Sequence, residues 1–205
     1  MQLELKSLPK LEQGKASQDE SNILSLFLNT IGDRGPQLVG FNSRASDLKM
    51  MMQRAIITGV SASSFCKRPD KPWGEEADYF SKYGDDHVDL QEIVSGWGKG
   101  TPSLNEMATL SGIPGKMDVA GDNVAEMWLD GKLKDILAYN ETDALTTYLL
   151  WLRVAHFAGF FTDEQYEREQ DLVRGLIAEK RQESGYDHLN AYQEEWDRLR
   201  SLTAH

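Results

Sequence analysis

Apolar side chains recur at helical spacing along much of the chain. Residues 17–20 (SQDE) have the sequence of a capping box, in which a serine hydroxyl and a glutamate carboxylate bind backbone N–H groups of the first turn. This box predicts a helix that ends at 32–36. Its apolar stripe consists of Ile23, Leu24, Phe27, Leu28 and Ile31. The same spacing predicts a second helix over roughly 47–58, which ends at Gly59.

The second half of the chain is predicted to be mainly helical. Residues 103–106 form another capping box, whose helix ends at Gly112. Further helices are predicted at 122–130 and 133–160, and the last 45 residues have the pattern of two amphipathic, charge-rich helices. The most apolar stretch, 144–161, includes polar side chains and is shorter than the about 20 apolar residues of a membrane span. We therefore expect a core helix there and no membrane partner.

Three short segments have the pattern of β-strands. Leu3, Leu5 and Leu8 are separated by polar residues, which predicts a strand ending at Pro9. The apolar runs at 37–42 and 87–90 predict two more strands. Strands alternating with helices favour an α/β domain. Residues 60–86 show neither period, which is typical of a functional loop or an insertion.

Composition narrows the class of protein. The 205 residues suffice for one domain with a core, because 40% of them are hydrophobic. A net charge of −11 excludes a protein that coats nucleic acid by general attraction to phosphate. The single cysteine excludes a disulfide framework and a thiolate zinc site, and it favours a reducing, cytoplasmic location.

The charge is distributed unevenly along the chain. Residues 34–71 carry seven basic side chains and two acidic ones, which indicates either a solvated basic surface or a patch that faces phosphate. Residues 161–205 carry 11 acidic and six basic side chains. This acidic segment could cover exposed sheet or bind a partner, but a solvated helical pair packed on the core is the favoured interpretation.

Three places offer carboxylates in a setting that suits chemistry. Asp47 follows the predicted strand 37–42, so it would lie at the carboxyl edge of a sheet, where α/β proteins bind ligands. The pattern alone favours a plain N-cap for Asp47 over a metal ligand. Tyr139 and Asp143 are four residues apart and share one helical face, as a metal-binding carboxylate and a water-orienting phenol would. An exposed aspartate beside a half-buried tyrosine is the ordinary alternative.

The third place is the predicted strand at 87–90. His87 and Asp89 share one face of this strand and could bind a metal, but a packed histidine is favoured. Motifs of phosphate-binding loops, nucleophile elbows and paired cysteines do not occur in the sequence. Residues 112–116 (GIPGK) are only superficially similar to a phosphate-binding loop, because their spacing is wrong.

Four separated segments together resemble a known family. They are 38–55 (LVGFNSR with the following DL and QRA), 85–90 (DDHVDL), 110–117 (LSGIPGKM) and 139–153 (YNETD with the following L, TYLL and LR). In this order they are similar to the predicted 3′–5′ exonucleases related to the proofreading domain of family-B DNA polymerases. That family belongs to the DnaQ-like, DEDDy group, and the resemblance covers roughly residues 1–160. It therefore implies an α/β, ribonuclease H-like exonuclease fold.

The resemblance also implies a reaction and a set of site residues. The family's chemistry is two-metal phosphodiester hydrolysis at single-stranded nucleic-acid 3′ ends, with Mg²⁺ or Mn²⁺ held by four acidic residues. By position, Asp47 and Asp143 match two of these metal-binding catalytic acids, and Tyr139 matches the tyrosine that positions the attacking water. Asn42 and Arg44 match residues beside the second motif and are expected near the substrate.

The chain departs from the family at its start. The family's first motif, D-x-E on a central strand, lies upstream of the segment that matches 3–9, so two of the four acids have no counterpart here. Ser46 and Lys49 are milder departures. We therefore expect an N-terminally incomplete exonuclease-like domain at 1–160, an acidic helical extension at 161–205, and weak or no nuclease activity of this chain alone.

Two other readings stay open at this point. One is a non-catalytic, truncated relative that serves as a binding or assembly module, as a homo-oligomer or with the missing N-terminal segment supplied elsewhere. The other is an acidic α/β protein whose motif matches are accidental.

Overall fold

The protein is described by a computed structural model, which defines residues 3–9, 18–71, 74, 76–82, 84–95, 100–117 and 124–203. The helices and strands follow in chain order: α1 (Glu20–Arg34), β1 (Leu38–Gly40), α2 (Asp47–Ile57), β2 (His87–Asp89), α3 (Leu90–Ser95), α4 (Leu104–Leu110), α5 (Val124–Leu129), α6 (Leu133–Phe157), α7 (Asp163–Lys180) and α8 (His188–Thr203). The chain is therefore helix-rich, with a small parallel sheet of β1 and β2.

The residues divide into two compact units. The sheet unit is Leu8–Lys99, and the helical unit is Met1–Ser7 with Gly100–His205. In the sheet unit, β1 and β2 pair in parallel with Leu38 opposite His87 and Gly40 opposite Asp89. Parallel strands require a long crossover between them. Here the crossover contains α2 and the non-periodic residues after it.

Helix α1 begins two residues later than the capping box at 17–20 predicts. Asp19 is the N-cap, and its carboxylate accepts the backbone N–H of Ser21 at 3.0 Å. Ser17 lies outside the described residues. The helix also continues through Gly32, where a Cβ would overlap the backbone of Phe65. Gly32 therefore allows close approach of another segment and does not break the helix.

The core of the sheet unit contains residues of α1 and α2 and residues of the non-periodic segment 60–86. Its buried residues are Leu24, Leu28, Leu48, Ala55, Phe65 and Tyr79. The rings of Phe65 and Tyr79 stack with centroids 4.9 Å apart, and the Tyr79 hydroxyl donates to the carbonyl of Pro36 at 2.8 Å. Part of the stretch from 60 to 86, which has no hydrophobic period, therefore supplies core packing.

The strand predicted at the start of the chain is wrong. Residues 3–9 alternate in exposure up to residue 7, but no strand forms among them. A strand needs a hydrogen-bonded neighbour, which local alternation cannot provide. The segment instead joins the helical unit through the Ser7 hydroxyl, which donates to the carboxylate of Glu141 on α6.

In the helical unit, α4, α5, α7 and α8 pack against α6 or against each other. The buried side of α6 is largely apolar, as predicted for 144–161, and includes Leu145, Leu149, Leu150 and Leu152. Helices α7 and α8 bury Tyr166, Val173, Ile177, Leu189, Tyr192 and Trp196. The favoured interpretation of the acidic segment, a helical pair packed on the core, is confirmed. Among the described helices, none combines the length and apolarity that a membrane crossing requires.

Candidate active site

The loop after β1 is held by the carboxylate of Asp89 at the end of β2. Asn42 has a φ of 59°, in the left-handed region that asparagine tolerates better than most residues. Its backbone N–H donates to Oδ1 of Asp89 at 2.7 Å, and the N–H of Arg44 donates to Oδ2 at 3.0 Å. Asp89 also accepts the N–H of Gln91 at 3.0 Å, which caps α3.

Asp89 is therefore a positioning residue, a role that the sequence pattern did not reveal. Its side chain is 4% exposed, and both carboxylate oxygens are engaged by backbone N–H groups. The signal for this role is the aspartate at the end of the predicted strand, immediately before a helix of six residues that the sequence analysis missed. A carboxylate in that place caps a helix start.

The side chain of Arg44 is also bound by the protein. Its guanidinium donates to the carbonyls of Ser81 at 3.0 Å and His87 at 2.7 Å, and its Nε lies 3.4 Å from Oε2 of Glu92. These contacts join the loop after β1 to β2 and to α3. The backbone N–H of Asn42 and the backbone and side chain of Arg44 thus fix this loop, and their expected place near the substrate stays a prediction.

His87 is a packed histidine, which is the interpretation the sequence favoured. It is 3% exposed, and its Nε2 lies 2.9 Å from the hydroxyl of Ser43. Burial, and then the positive charge of Arg44, lower the pKa of His87. Among the residues that the structure describes, no three or more His, Cys, Asp or Glu side chains are grouped as a metal site requires.

Asp47 is the first residue of α2, and Ser46 occupies the N-cap position. The favoured prediction that Asp47 is a plain N-cap is therefore wrong, because α2 starts one residue earlier than an Asp47 cap requires. Its side chain is exposed. Neighbouring protein atoms displace part of the water around the Asp47 carboxyl, and this loss of solvation raises its pKa. The negative charge of Asp89 raises the pKa further, to a smaller extent.

Tyr139 and Asp143 lie one turn apart on α6, and both side chains are half-buried. The alternative of an exposed aspartate is thus wrong for Asp143. Burial, and also the charge of Asp143, raise the pKa of Tyr192 on α8 above the usual tyrosine range. The Tyr192 hydroxyl lies 3.1 Å from that of Thr146, three residues after Asp143. Helix α8 therefore packs beside the Tyr139–Asp143 face.

Glu141 lies between these two residues in sequence and on a different side of α6. It is 7% exposed, and its carboxylate accepts from the Ser7 hydroxyl and lies 2.9 Å from Nε2 of His188. Sequence reasoning missed this cluster because its three members are far apart along the chain. Its contacts attach the N-terminal segment and the start of α8 to α6.

The structure thus groups the predicted site residues into two sets. Tyr139 and Asp143 share one face of α6 in the helical unit. The second set lies in the sheet unit, where β1 leads into α2, and consists of Asn42, Arg44 and Asp47. The backbone of Asn42 and Arg44 binds the carboxylate of Asp89, and the charge of Asp89 acts on Asp47.

Comparison with known proteins gives the family. Residues 1–196 match the family described as a predicted 3′-5′ exonuclease related to the exonuclease domain of PolB. The chain belongs to this family, which confirms the resemblance and removes the reading of accidental motif matches. The match continues past residue 160, where the resemblance was expected to end, and takes in α7 and most of α8. No curated protein and no solved structure gives a significant match.

Proposed function

We propose that the chain is a 3′–5′ exonuclease-like domain of ribonuclease H-like fold, with residues 161–205 as a helical extension packed on α6. Its substrate is a single-stranded nucleic-acid 3′ end. The observation that carries the proposal is the Tyr139–Asp143 pair on one face of α6, in a chain whose residues 1–196 match an exonuclease family. The paired parallel strands with α2 in their crossover support the fold.

Within the helical unit, the pair on α6 supplies a carboxylate and a phenol on one side. Asp143 is suited to hold Mg²⁺ or Mn²⁺, since carboxylate oxygens are ligands that these hard cations prefer. The bound ion would activate water and stabilise the leaving 3′ oxygen. Tyr139, one turn away, orients the attacking water by hydrogen bonding through its hydroxyl.

Within the sheet unit, Asp47 is the second proposed metal ligand. Its raised pKa supports this role, because a cation near the carboxylate would relieve the cost of its ionisation. Asn42 and Arg44 are proposed to lie near the substrate, in the loop whose backbone N–H groups bind the carboxylate of Asp89. The hydrogen bond of the Arg44 guanidinium to the carbonyl of His87 ties this loop to β2.

Turnover by the chain alone is proposed to be weak or absent. Two carboxylates are expected to hold two ions less well than the four that the family's chemistry uses. Within the described part of either unit, no third metal-ligating side chain joins Asp47 or Asp143 in a group.

A binding measurement tests this proposal apart from turnover. Fluorescence anisotropy would compare a labelled single strand that ends in a 3′ hydroxyl with the same strand blocked by a 3′ phosphate, with Mg²⁺ or with EDTA. We expect Mg²⁺ to tighten binding of the hydroxyl-ended strand, and Asp143→Asn to remove this gain. Asp135→Asn is the matched control, since Asp135 is exposed in the first turn of α6. Equal binding of both strands, with and without Mg²⁺, would contradict the proposal.

A second candidate is a non-catalytic relative that acts as a binding or assembly module. The observation that favours it is the sheet itself, because among the described residues β1 and β2 pair only with each other. Two-stranded sheets are marginal alone, and an open strand edge can pair with another chain. Light scattering after size-exclusion chromatography tests this idea: it predicts a homo-oligomer, and a well-folded monomer counts against it.

A further inference from the structure

The loop at 112–116, whose glycines and lysine stand out in the sequence, is held firmly in the helical unit. The N–H of Ile113 donates to the carbonyl of Ala108 at 2.9 Å. The carbonyl of Pro114 accepts the hydroxyl of Thr146 at 2.9 Å, in a buried contact. The position of the next residues is therefore set by α4 and α6.

The same loop forms one side of a cleft. The cleft has a volume of about 470 Å³ and lies between α4, residues 115–117 and α8. At Gly115 a Cβ would overlap Oδ1 of Asn105 and lie 2.9 Å from Oγ1 of Thr109. That Oδ1 accepts the backbone N–H of Lys116 at 2.7 Å. Gly115 therefore lets the loop sit directly against α4, with the Lys116 side chain at the cleft.

The two sides of the cleft differ in the groups that they offer. On the α4 and loop side, the Lys116 ammonium and the Thr109 hydroxyl are exposed and have no hydrogen bond or ion pair with other described residues. On the α8 side, Arg198 donates to both carboxylate oxygens of Glu195 at 2.7 Å. This pairing leaves Glu194 as the acceptor that faces a ligand.

From this asymmetry we infer that the cleft binds one nucleotide unit of a single-stranded nucleic acid. The phosphate oxygens accept from Lys116 and Thr109, and a sugar hydroxyl or a base N–H donates to Glu194. A phosphate ion alone is a poorer fit, because Glu194 repels it and no sugar or base is attached to offset that repulsion. The volume lies within the range of about 300–1,000 Å³ that small-molecule sites occupy.

The cleft lies next to the proposed catalytic segment of α6. The Thr146 hydroxyl contacts both the loop, at the Pro114 carbonyl, and the Tyr192 hydroxyl on α8, beside Ala191 of the cleft. Thr146 is three residues after Asp143, about 4.5 Å along the helix axis. The inference rests on the proposed function, since it assigns a second contact to the same strand.

A titration without metal tests the cleft separately from catalysis. Anisotropy with a labelled twelve-nucleotide strand of oligo-dT, and with oligo-U, would be measured in EDTA at several salt concentrations. We expect Lys116→Ala to weaken binding about fivefold and to lower the slope of log K against log salt by about 0.7, the value for one lost phosphate contact on a single strand. Lys134→Ala is the matched control, because Lys134 is exposed in the first turn of α6 and outside the cleft.

Two further measurements test which groups of the nucleotide the cleft recognises. Thr109→Val, which replaces the hydroxyl with a methyl group of similar size, is expected to weaken binding by a smaller factor. AMP is expected to compete with the strand, and inorganic phosphate at the same concentration is not. Equal affinity and salt slope for Lys116→Ala and Lys134→Ala would overturn the inference, as would equal competition by phosphate or no binding of either strand in EDTA. The proposed function is judged independently by the Mg²⁺-dependent effect of Asp143→Asn.

Discussion

Oδ1 of Asp89 accepts the backbone N–H of Asn42 at 2.7 Å, which joins the end of β2 to the loop that follows β1. The same carboxylate binds the N–H of Arg44 and of Gln91, both at 3.0 Å. One buried side chain thus sets the left-handed turn at Asn42, the start of α3 and the approach to Asp47. We therefore expect loss of the Asp89 carboxylate to destabilise the loop that follows β1 and the start of α3.

Asp89→Ala is expected to destabilise the protein strongly. Three backbone N–H groups lose a charged acceptor, and leaving buried donors unsatisfied costs about 1–3 kcal/mol each. We expect the free energy of unfolding, measured by urea denaturation, to fall by at least about 3 kcal/mol. Asp85→Ala, at an exposed aspartate four residues earlier, is expected to change it by less than about 0.5 kcal/mol. Similar values for both variants would contradict the role of Asp89.

Two glycine substitutions are expected to have opposite effects. Gly32→Ala places a Cβ against the backbone of Phe65, so it should lower the free energy of unfolding by about 1–3 kcal/mol or more. At Gly175 in α7 a Cβ meets nothing within 4 Å, so Gly175→Ala should raise it by about 0.5–1 kcal/mol through helix propensity. Thermal or urea unfolding measures both. A neutral Gly32→Ala would show that α1 and the segment at 64–65 are not in close contact.

The lowered pKa of His87 predicts a loss of stability on mild acidification. Its ordinary value is 6.5, and burial followed by the charge of Arg44 lowers it in the folded state. As pH falls below about 6.5, the unfolded chain binds a proton that the folded protein does not, so the free energy of unfolding falls. His87→Gln is expected to flatten this dependence between pH 7.5 and 5.5 in urea titrations. An unchanged slope would contradict the assignment.

Asp47→Asn is expected to stabilise the protein at neutral pH. The surrounding protein and the charge of Asp89 raise the pKa of Asp47 above 3.8, so the fold disfavours its ionised form. The penalty is absent below the unfolded-state value of 3.8 and is complete above the folded-state pKa. The gain should therefore be seen at pH 7 and disappear at pH 3. Asp70→Asn, at an exposed loop residue, is the control and should show no such gain.

A stabilising Asp47→Asn would also support a functional reason for the carboxylate. Residues kept for function commonly cost stability, since binding requires groups that the fold alone does not favour. If Asp47→Asn instead destabilises the protein, the carboxylate contributes to the fold, and its proposed role as a metal ligand loses this support.

The elements with long, regular apolar patterns were predictable from the sequence. Helices α6, α7 and α8 lie where the 3.6-residue period places them, and the box at Ser103 caps α4 as predicted. The parallel strands β1 and β2 also fall within the predicted segments 37–42 and 87–90. In these cases local pattern and tertiary packing favour the same structure.

The predictions fail where the local structure depends on contacts with residues far away in the sequence. Residues 3–9 have the pattern of a strand, but Ser7 binds Glu141 on α6, 134 positions away. The start of α1 depends on Asp19 as its N-cap, two residues after the predicted one, whereas its end at Arg34 falls within the predicted break at 32–36. Asp89 and Glu141 were not recognised as positioning residues because their partners lie on other elements.

The site was predictable only as single residues and spacings. The four-residue spacing of Tyr139 and Asp143 fixes their common face on α6 from the sequence alone. The contacts of Arg44 with the carbonyls of Ser81 and His87 could not be inferred, because they require the fold of the loop before β2.

The most direct test of the proposed function is shortening of a single strand from its 3′ end. Purified protein would be incubated with Mg²⁺ or Mn²⁺ and a 5′-labelled strand, beside Asp143→Asn at the same concentration, and the products resolved by length. We predict that the wild-type protein shortens the strand slowly or not at all, as Asp143→Asn does. Rapid shortening by the wild type that Asp143→Asn abolishes would contradict the claim that this chain alone is a weak or inactive exonuclease-like domain.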